Sequence, residues 1–191
     1  AAEHAISVQE VCNRARVIFT SLPSPAIYRE VMLGADGVLS GSAVQIAVDL
    51  STVGPRSAKA VAQGLLAKGV QLVDAPVSGG PAGAQKGTLT VMASGDLKAQ
   101  QEVWPLLEVF GKVFNIGPEA GQAQLLKLLN NMLSSTAFAI TAEAYVAGVK
   151  GGLDPELMLN VINVSSGRSA ASQEKFVRQV LPRSFDFGFP I

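Results

Sequence analysis

The segment from Gly121 to Lys150, GQAQLLKLLNNMLSSTAFAITAEAYVAGVK, sets a lysine inside an apolar run. From 121 to 149 it holds two formal charges, Lys127 and Glu143. Stripping water from an ammonium is costly, so lysine is normally left exposed. In a semi-apolar setting, lysine becomes tunable toward acid–base work. On a helix at about 100° per residue, Asn131 lies about 40° from Lys127, Ser134 about 20° on the other side and Gln124 about 60° away. These four form one polar stripe on an otherwise apolar helix. Two readings of the stripe stand. One is a lysine snorkelling beside a hydrated interdomain seam. The other is a lysine facing a ligand cleft, where it gives a proton to, or takes one from, a hydroxyl that becomes a carbonyl. On that reading the Asn131 amide hydrogen-bonds the same substrate and fixes its geometry.

Other chemistry-bearing residues collect where strands end. The stretches SLPSP, DLSTVGP and DAPVSGG each follow a β-rich run. Ligands of open α/β sheets bind at such carboxyl ends. Gly79 and Gly80 let backbone N–H groups approach a carboxylate or phosphate. Each stretch taken alone reads as a turn; three at equivalent strand ends point to a cleft. Asp49 and Asp74 close two of the strands and read as turn-capping carboxylates rather than acid catalysts. Arg168 is either a carboxylate binder or a solvated arginine. Glu143 lies about 160° from Lys127 on the helix, too far round to pair with it. The single Cys12 excludes an intrachain disulfide and a cysteine-rich zinc site, and no metal site is expected. The single His4 lies at the chain start, which disfavours a Ser/His/Asp triad.

The elements that position these residues follow from pattern. Of 191 residues, 48% are apolar and 6% aromatic, with 19 glycines, which favours a compact α/β protein. Charges balance at 15 against 15, so there is no electrostatic case for nucleic acid or an anionic membrane. Arg16–Pro23, Val44–Thr52 and Gly69–Gly80 read as strands, with GTLTVMASG and GKVFNIG as further short ones. AIYREVML and PRSAKAVAQGLLAKG have helical spacing; the second starts at Pro55, stops before Gly69, and has Thr52 or Ser51 as candidate caps. The alternation predicts a mainly parallel, doubly wound sheet. After Gly117 the pattern predicts only helices: Gln122–Val149, a second from Asp154 and Pro155 to Gly167, and a third over SQEKFVRQVL. The long one reads as a buried interdomain helix rather than a membrane span, because two asparagines, two serines and two threonines fall in its middle. The boundary is placed between 1–118 and 119–191.

The blocks DLSTVGP, DAPVSGGPAGAQKGTLTVMASG and GQAQLLKLLNNML…AEA, in this order and spacing, resemble the 3-hydroxyisobutyrate dehydrogenase family of β-hydroxyacid dehydrogenases. GLDPELMLNVINVSSGRS resembles the segment that follows in that family, and the likeness covers essentially the whole chain. The resemblance implies a Rossmann-type domain binding NAD or NADP, a long interdomain helix and an all-α C-terminal domain. It implies interconversion of a 3-hydroxy acid and its semialdehyde. Lys127 matches the family's catalytic lysine and Asn131 its amide partner, with Asn130 adjacent. Ser78, Gly79 and Gly80 match the substrate-holding residues. Leu22 and Pro23 match the cofactor-contacting Leu-Pro, and Thr52 the nicotinamide-side threonine. The family's first strand and glycine-rich turn would lie upstream of Ala1, and further helices beyond Ile191. The chain is therefore expected to be part of a longer protein. Further expectations are a homo-oligomer, dimer or tetramer, and a cytoplasmic setting, or the mitochondrial matrix in a eukaryote. Rival readings are a related reductase of tartronate semialdehyde, succinic semialdehyde or glyoxylate, and a binding module that keeps the fold without the chemistry.

Overall fold

The computed structural model describes residues 3–186. The chain divides into two compact units, residues 1–128 and 129–191.

The first unit is a sheet with helices on its faces. Its elements are α1 (Val8–Arg14), β1 (Val17–Thr20), α2 (Pro25–Leu33), β2 (Ile46–Asp49), α3 (Pro55–Leu66), β3 (Gln71–Asp74), β4 (Val77–Ser78), α4 (Gly80–Lys86), β5 (Leu89–Gly95), α5 (Leu97–Leu107) and β6 (Gly111–Gly117), followed by the start of α6 (Gln122–Lys150). β1, β2 and β3 are parallel neighbours. β5 then runs antiparallel to β3 and to β4, and parallel to β6. The β1–β2, β2–β3 and β5–β6 pairings follow the parallel expectation, and the pairings of β5 with β3 and β4 do not. β3 and β4 lie along the same edge of β5, so the predicted strand Gly69–Gly80 is one line interrupted at Ala75–Pro76. The parallel register sets Thr20, Asp49 and Asp74 in a single row at the strand ends.

Both faces of the central strands are covered, as period-two alternation in a buried strand requires. Ala47 and Leu72 join Tyr28, Met32, Val61 and Leu65 in one cluster. Ile46, Val48 and Val73 join Val91, Val103 and Leu107 in the other. Fully burying one such aliphatic or aromatic side chain is worth roughly 1.5–3 kcal/mol. The start of α3 corrects a predicted cap. Gly54, at φ 82°, is its N-cap and gives no side-chain hydrogen bond. Ser51 instead bonds Asp49, and Thr52 stays exposed. The sequence pattern does not reveal α4 or α5. The first hides in the glycine-rich GGPAGAQK, and the second carries Pro105 in its interior.

The second unit holds the remainder of α6, α7 (Pro155–Asn163) and a π-wound helix, Ala171–Val180. Asp154 caps α7 by accepting from Leu157 N at 2.8 Å, and Pro155 follows as expected. The helix ends at Asn163, short of Gly167. Its core is small: Phe176 packs against Phe138 and Tyr145, with Leu159 and Ala171. The expected burial of α6 is not met, since none of its residues after Lys127 is buried. Leu129, Met132, Leu133 and Ile140 are exposed. The helix is as apolar as its sequence indicates, but few side chains of this unit reach it. Its length and composition would suit a membrane span. Asn130, Asn131, Ser134 and Ser135 lie well inside it, however, and polar groups at mid-span are costly.

Gly95 shows how tightly β3 and β5 close. It sits at φ 122°, opposite Val73, and a Cβ there would overlap the Leu72 carbonyl oxygen. Gly95→Ala is expected to destabilise the fold by about 1–3 kcal/mol. A lowered urea midpoint at unchanged slope would report it; an unchanged midpoint would contradict this packing.

Candidate active site

Lys127 belongs to the second turn of α6, within the first unit. It is only 8% exposed. Its Nζ donates to Ser78 Oγ at 3.2 Å. Among the described residues it forms no ion pair. Burial pushes its pKa below the ordinary lysine value of 10.5. A desolvated ammonium with a hydroxyl as its neighbour gives up its proton more readily than an exposed one.

Ser78 is half-buried at the end of β4, and the chain then turns through Gly79 and Gly80 into α4. Both glycines have positive φ, 129° and 63°. A side chain at Gly79 would press on Leu89, whereas the space at Gly80 is open. The Ser-Gly-Gly turn therefore sets the Ser78 hydroxyl beside the lysine and leaves Gly79 and Gly80 exposed next to it.

The buried support of this pair lies one turn earlier. Gln124 is fully buried. Its Oε1 accepts from Val53 N at 2.9 Å and Gly54 N at 3.0 Å. Its Nε2 donates to Ser51 O at 2.9 Å and to Asp74 Oδ1 at 2.7 Å. Asp74 Oδ2 accepts from Gly121 N at 2.9 Å, from Gln124 N at 3.4 Å and from Ser94 Oγ at 3.2 Å. Ser94 Oγ in turn accepts from Ala123 N at 3.0 Å. The free N–H groups at the start of α6 are thus met by a carboxylate and a hydroxyl from strand ends. Burial lifts the Asp74 carboxyl to about 6, against the lowering effect of the Gln124 and Gly121 donors. Asp49, its neighbour in the row, is also raised by burial, although Ser51 and Thr20 donate to it.

The cofactor-side candidates occupy the carboxyl edge of the parallel strands. Leu22 follows β1, half-buried, and its N donates to Ser51 Oγ at 2.7 Å. Pro23 and Thr52 are exposed. Asn131 lies four residues beyond Lys127 on α6, in the second unit, and Asn130 beside it is exposed. The structure therefore brings Lys127 and Ser78 together, and ties the loop that carries Thr52 to the start of their helix. It corrects the polar stripe at one position: Gln124 faces inward and commits its amide to protein groups rather than to a ligand. Sequence reasoning misses Ser94 altogether. It reads Asp74 correctly as a capping carboxylate but does not reveal that the capped helix is α6.

Comparison with known proteins identifies the family. The family described as the NAD binding domain of 6-phosphogluconate dehydrogenase matches residues 1–117. That described as NAD-binding of NADP-dependent 3-hydroxyisobutyrate dehydrogenase matches residues 121–191. The 2-(hydroxymethyl)glutarate dehydrogenase of Eubacterium barkeri is 42% identical over 95% of this chain and 60% of its own length. The 3-hydroxyisobutyrate dehydrogenase of Pseudomonas aeruginosa is 40% identical over 87% of this chain and 56% of its own. A crystal structure of 3-hydroxyisobutyrate dehydrogenase from Salmonella typhimurium superposes with TM-score 0.82 at 26% identity, over 94% of this chain and 62% of that one. The chain thus spans about 60% of the length of these relatives. Sequence blocks, sheet and helix start coincide in one conclusion: the chain belongs to the 3-hydroxyisobutyrate dehydrogenase family of β-hydroxyacid dehydrogenases.

Proposed function

We propose that this chain carries the proton-handling part of a site that interconverts a 3-hydroxy acid and its semialdehyde. The observation that supports it most is the buried Lys127, with Nζ 3.2 Å from Ser78 Oγ and no ion pair among the described residues. In oxidation Lys127 takes the hydroxyl proton, and in reduction it returns it. Its lowered pKa raises the share of neutral amine available as a base. Ser78 Oγ and the Gly79–Gly80 backbone hold the substrate carboxylate, and their fixed turn sets the hydroxyl against Nζ. The amide role expected of Asn131 is part of the same proposal.

The residues at the carboxyl edge fit a nicotinamide dinucleotide, NAD or NADP. Pro23 and Thr52 are exposed there, and Gly54 leaves open space where a side chain would stand. Leu22, Pro23 and Thr52 would hold that group, which supplies the hydride acceptor or donor when bound. Relatives are named for 2-(hydroxymethyl)glutarate, 3-hydroxyisobutyrate and L-serine. Those three compounds share a CH2OH group on the carbon that bears the carboxylate, and differ in the third substituent. The substrate class we assign is therefore a small acid of the form HOCH2–CH(R)–COO⁻.

Lys127→Ala should lower turnover by about 10²–10⁴-fold, while nucleotide binding, read by fluorescence titration, persists. Turnover within a few-fold of the parent removes the lysine from this role. Lys127→Arg should fare equally badly, because a guanidinium does not readily give up its proton. The oxidation rate should rise with pH through an apparent pKa below 10.5, and the reduction rate should fall over the same interval. Ser78→Ala is expected to raise KM for the hydroxy acid much more than for the nucleotide. Initial rates against a panel of such acids measure both effects.

A further inference from the structure

We propose that Gln124 is a positioning residue for Lys127: its amide, locked between Asp74 and the Ser51–Gly54 backbone, fixes the rotation of α6 that brings Lys127 to Ser78. The proposal rests on the acid–base reading of Lys127 given above.

An amide offers two donor hydrogens and two acceptor sites. All four of Gln124 are used, at 2.7–3.0 Å, and the side chain is fully buried. Every partner belongs to the end of β3 or to the loop after β2. Gln124 and Lys127 are three residues apart, on successive turns of one side of the helix. Fixing Gln124 therefore fixes the direction in which Lys127 leaves α6. The backbone bonds of Gly121, Ala123 and Gln124 hold the helix start to Asp74 and Ser94, and the Gln124 amide adds the bonds that tie this side of the helix to the loop after β2. Gln124 also joins the helix to the loop of Thr52, so the proton-handling and cofactor-side elements share one anchor.

The amide is suited to this task because it is neutral. The titratable groups around it are Asp74, in direct contact, and Asp49 and Tyr28, both of which interact with Asp74 or with each other. A carboxylate at position 124 would face Asp74 Oδ1 and lose the donor that meets Ser51 O. It would also add negative charge one turn from Lys127, which favours the ammonium form.

The test uses the full-length protein with Gln124→Met and Gln124→Glu. Two readouts are taken for each variant: kcat and KM with a hydroxy acid and NAD or NADP, and the pH titration of Lys127 by competitive acetylation and peptide mass spectrometry. The second readout requires no turnover, so it reports on positioning even if the acid–base reading fails. In Gln124→Met, kcat should fall about 10²-fold with KM for the nucleotide little changed, as for a misplaced catalytic group. The titration of Lys127 should move up toward that of an ordinary lysine. Gln124→Glu should behave likewise at about pH 8. Relative to the parent at the same pH, its rate and the reactivity of Lys127 should recover in part near about pH 6, where the introduced carboxyl and Asp74 share a proton in place of the amide hydrogen. The proposal is overturned if Lys127 titrates as in the parent in folded Gln124→Met, or if folded Gln124→Glu shows parent-like Lys127 reactivity at about pH 8. It is equally overturned if both variants fail to fold, since Gln124 would then serve the fold rather than the lysine.

Discussion

The arrangement depends on one buried carboxylate. Asp74 stands at the end of β3 with no exposed surface, in a position where an unsatisfied charge would cost several kcal/mol. It is tolerated because the first N–H groups of α6, the Ser94 hydroxyl and the Gln124 amide all donate to it. The helix benefits in turn, since its N-terminal N–H groups would otherwise lack partners and its dipole favours negative charge there. Strand end and helix start therefore stabilise each other, and neither can shift without stranding the other's polar groups. This mutual dependence makes the first two turns of a 29-residue helix a fixed mount for Lys127.

The sheet contributes the second half of that mount. Parallel pairing of β1, β2 and β3 aligns Thr20, Asp49 and Asp74, so the loops after these strands emerge side by side. The line of β3 then continues past Pro76 into β4, which delivers Ser78 on the same edge of β5 that holds Asp74. The carboxylate that anchors α6 and the hydroxyl that meets its lysine thus belong to one short stretch of chain. Gly95 permits the closeness, because a Cβ there would collide with the backbone of β3.

Much of this is legible in the sequence, for identifiable reasons. The three strand-end stretches, Pro55, Asp154 and Pro155 obey local rules of turn and helix chemistry, and the structure follows them. The isolation of Lys127 in an apolar run signals its burial without knowledge of the fold. What fails are inferences that need tertiary partners. Gln124 reads as ligand-facing because a helical wheel gives an angle but not the occupant of that side. α4 is hidden because glycine and proline are read as turn residues when their order, Gly-Gly-Pro, also starts a helix. The antiparallel entry of β5 depends on pairing, which strand patterns alone do not encode.

On the proposed acid–base reading, Lys127 must be held without being neutralised. A carboxylate in contact with Lys127 would hold it well but would stabilise its charged form and raise its pKa. The fold separates these two demands. Asp74 provides the strong anchor at the start of the helix, and the neutral Gln124 stands between that charge and the turn that carries the lysine. Among the described residues, Lys127 Nζ hydrogen-bonds the Ser78 hydroxyl and forms no ion pair. Position is transmitted along the helix by hydrogen bonds, and charge is left behind at the strand end. Desolvation then lowers the pKa of Lys127. On that reading a fully bonded amide suits position 124 better than a second acid, because it ties the helix without adding a charge that would favour the ammonium form.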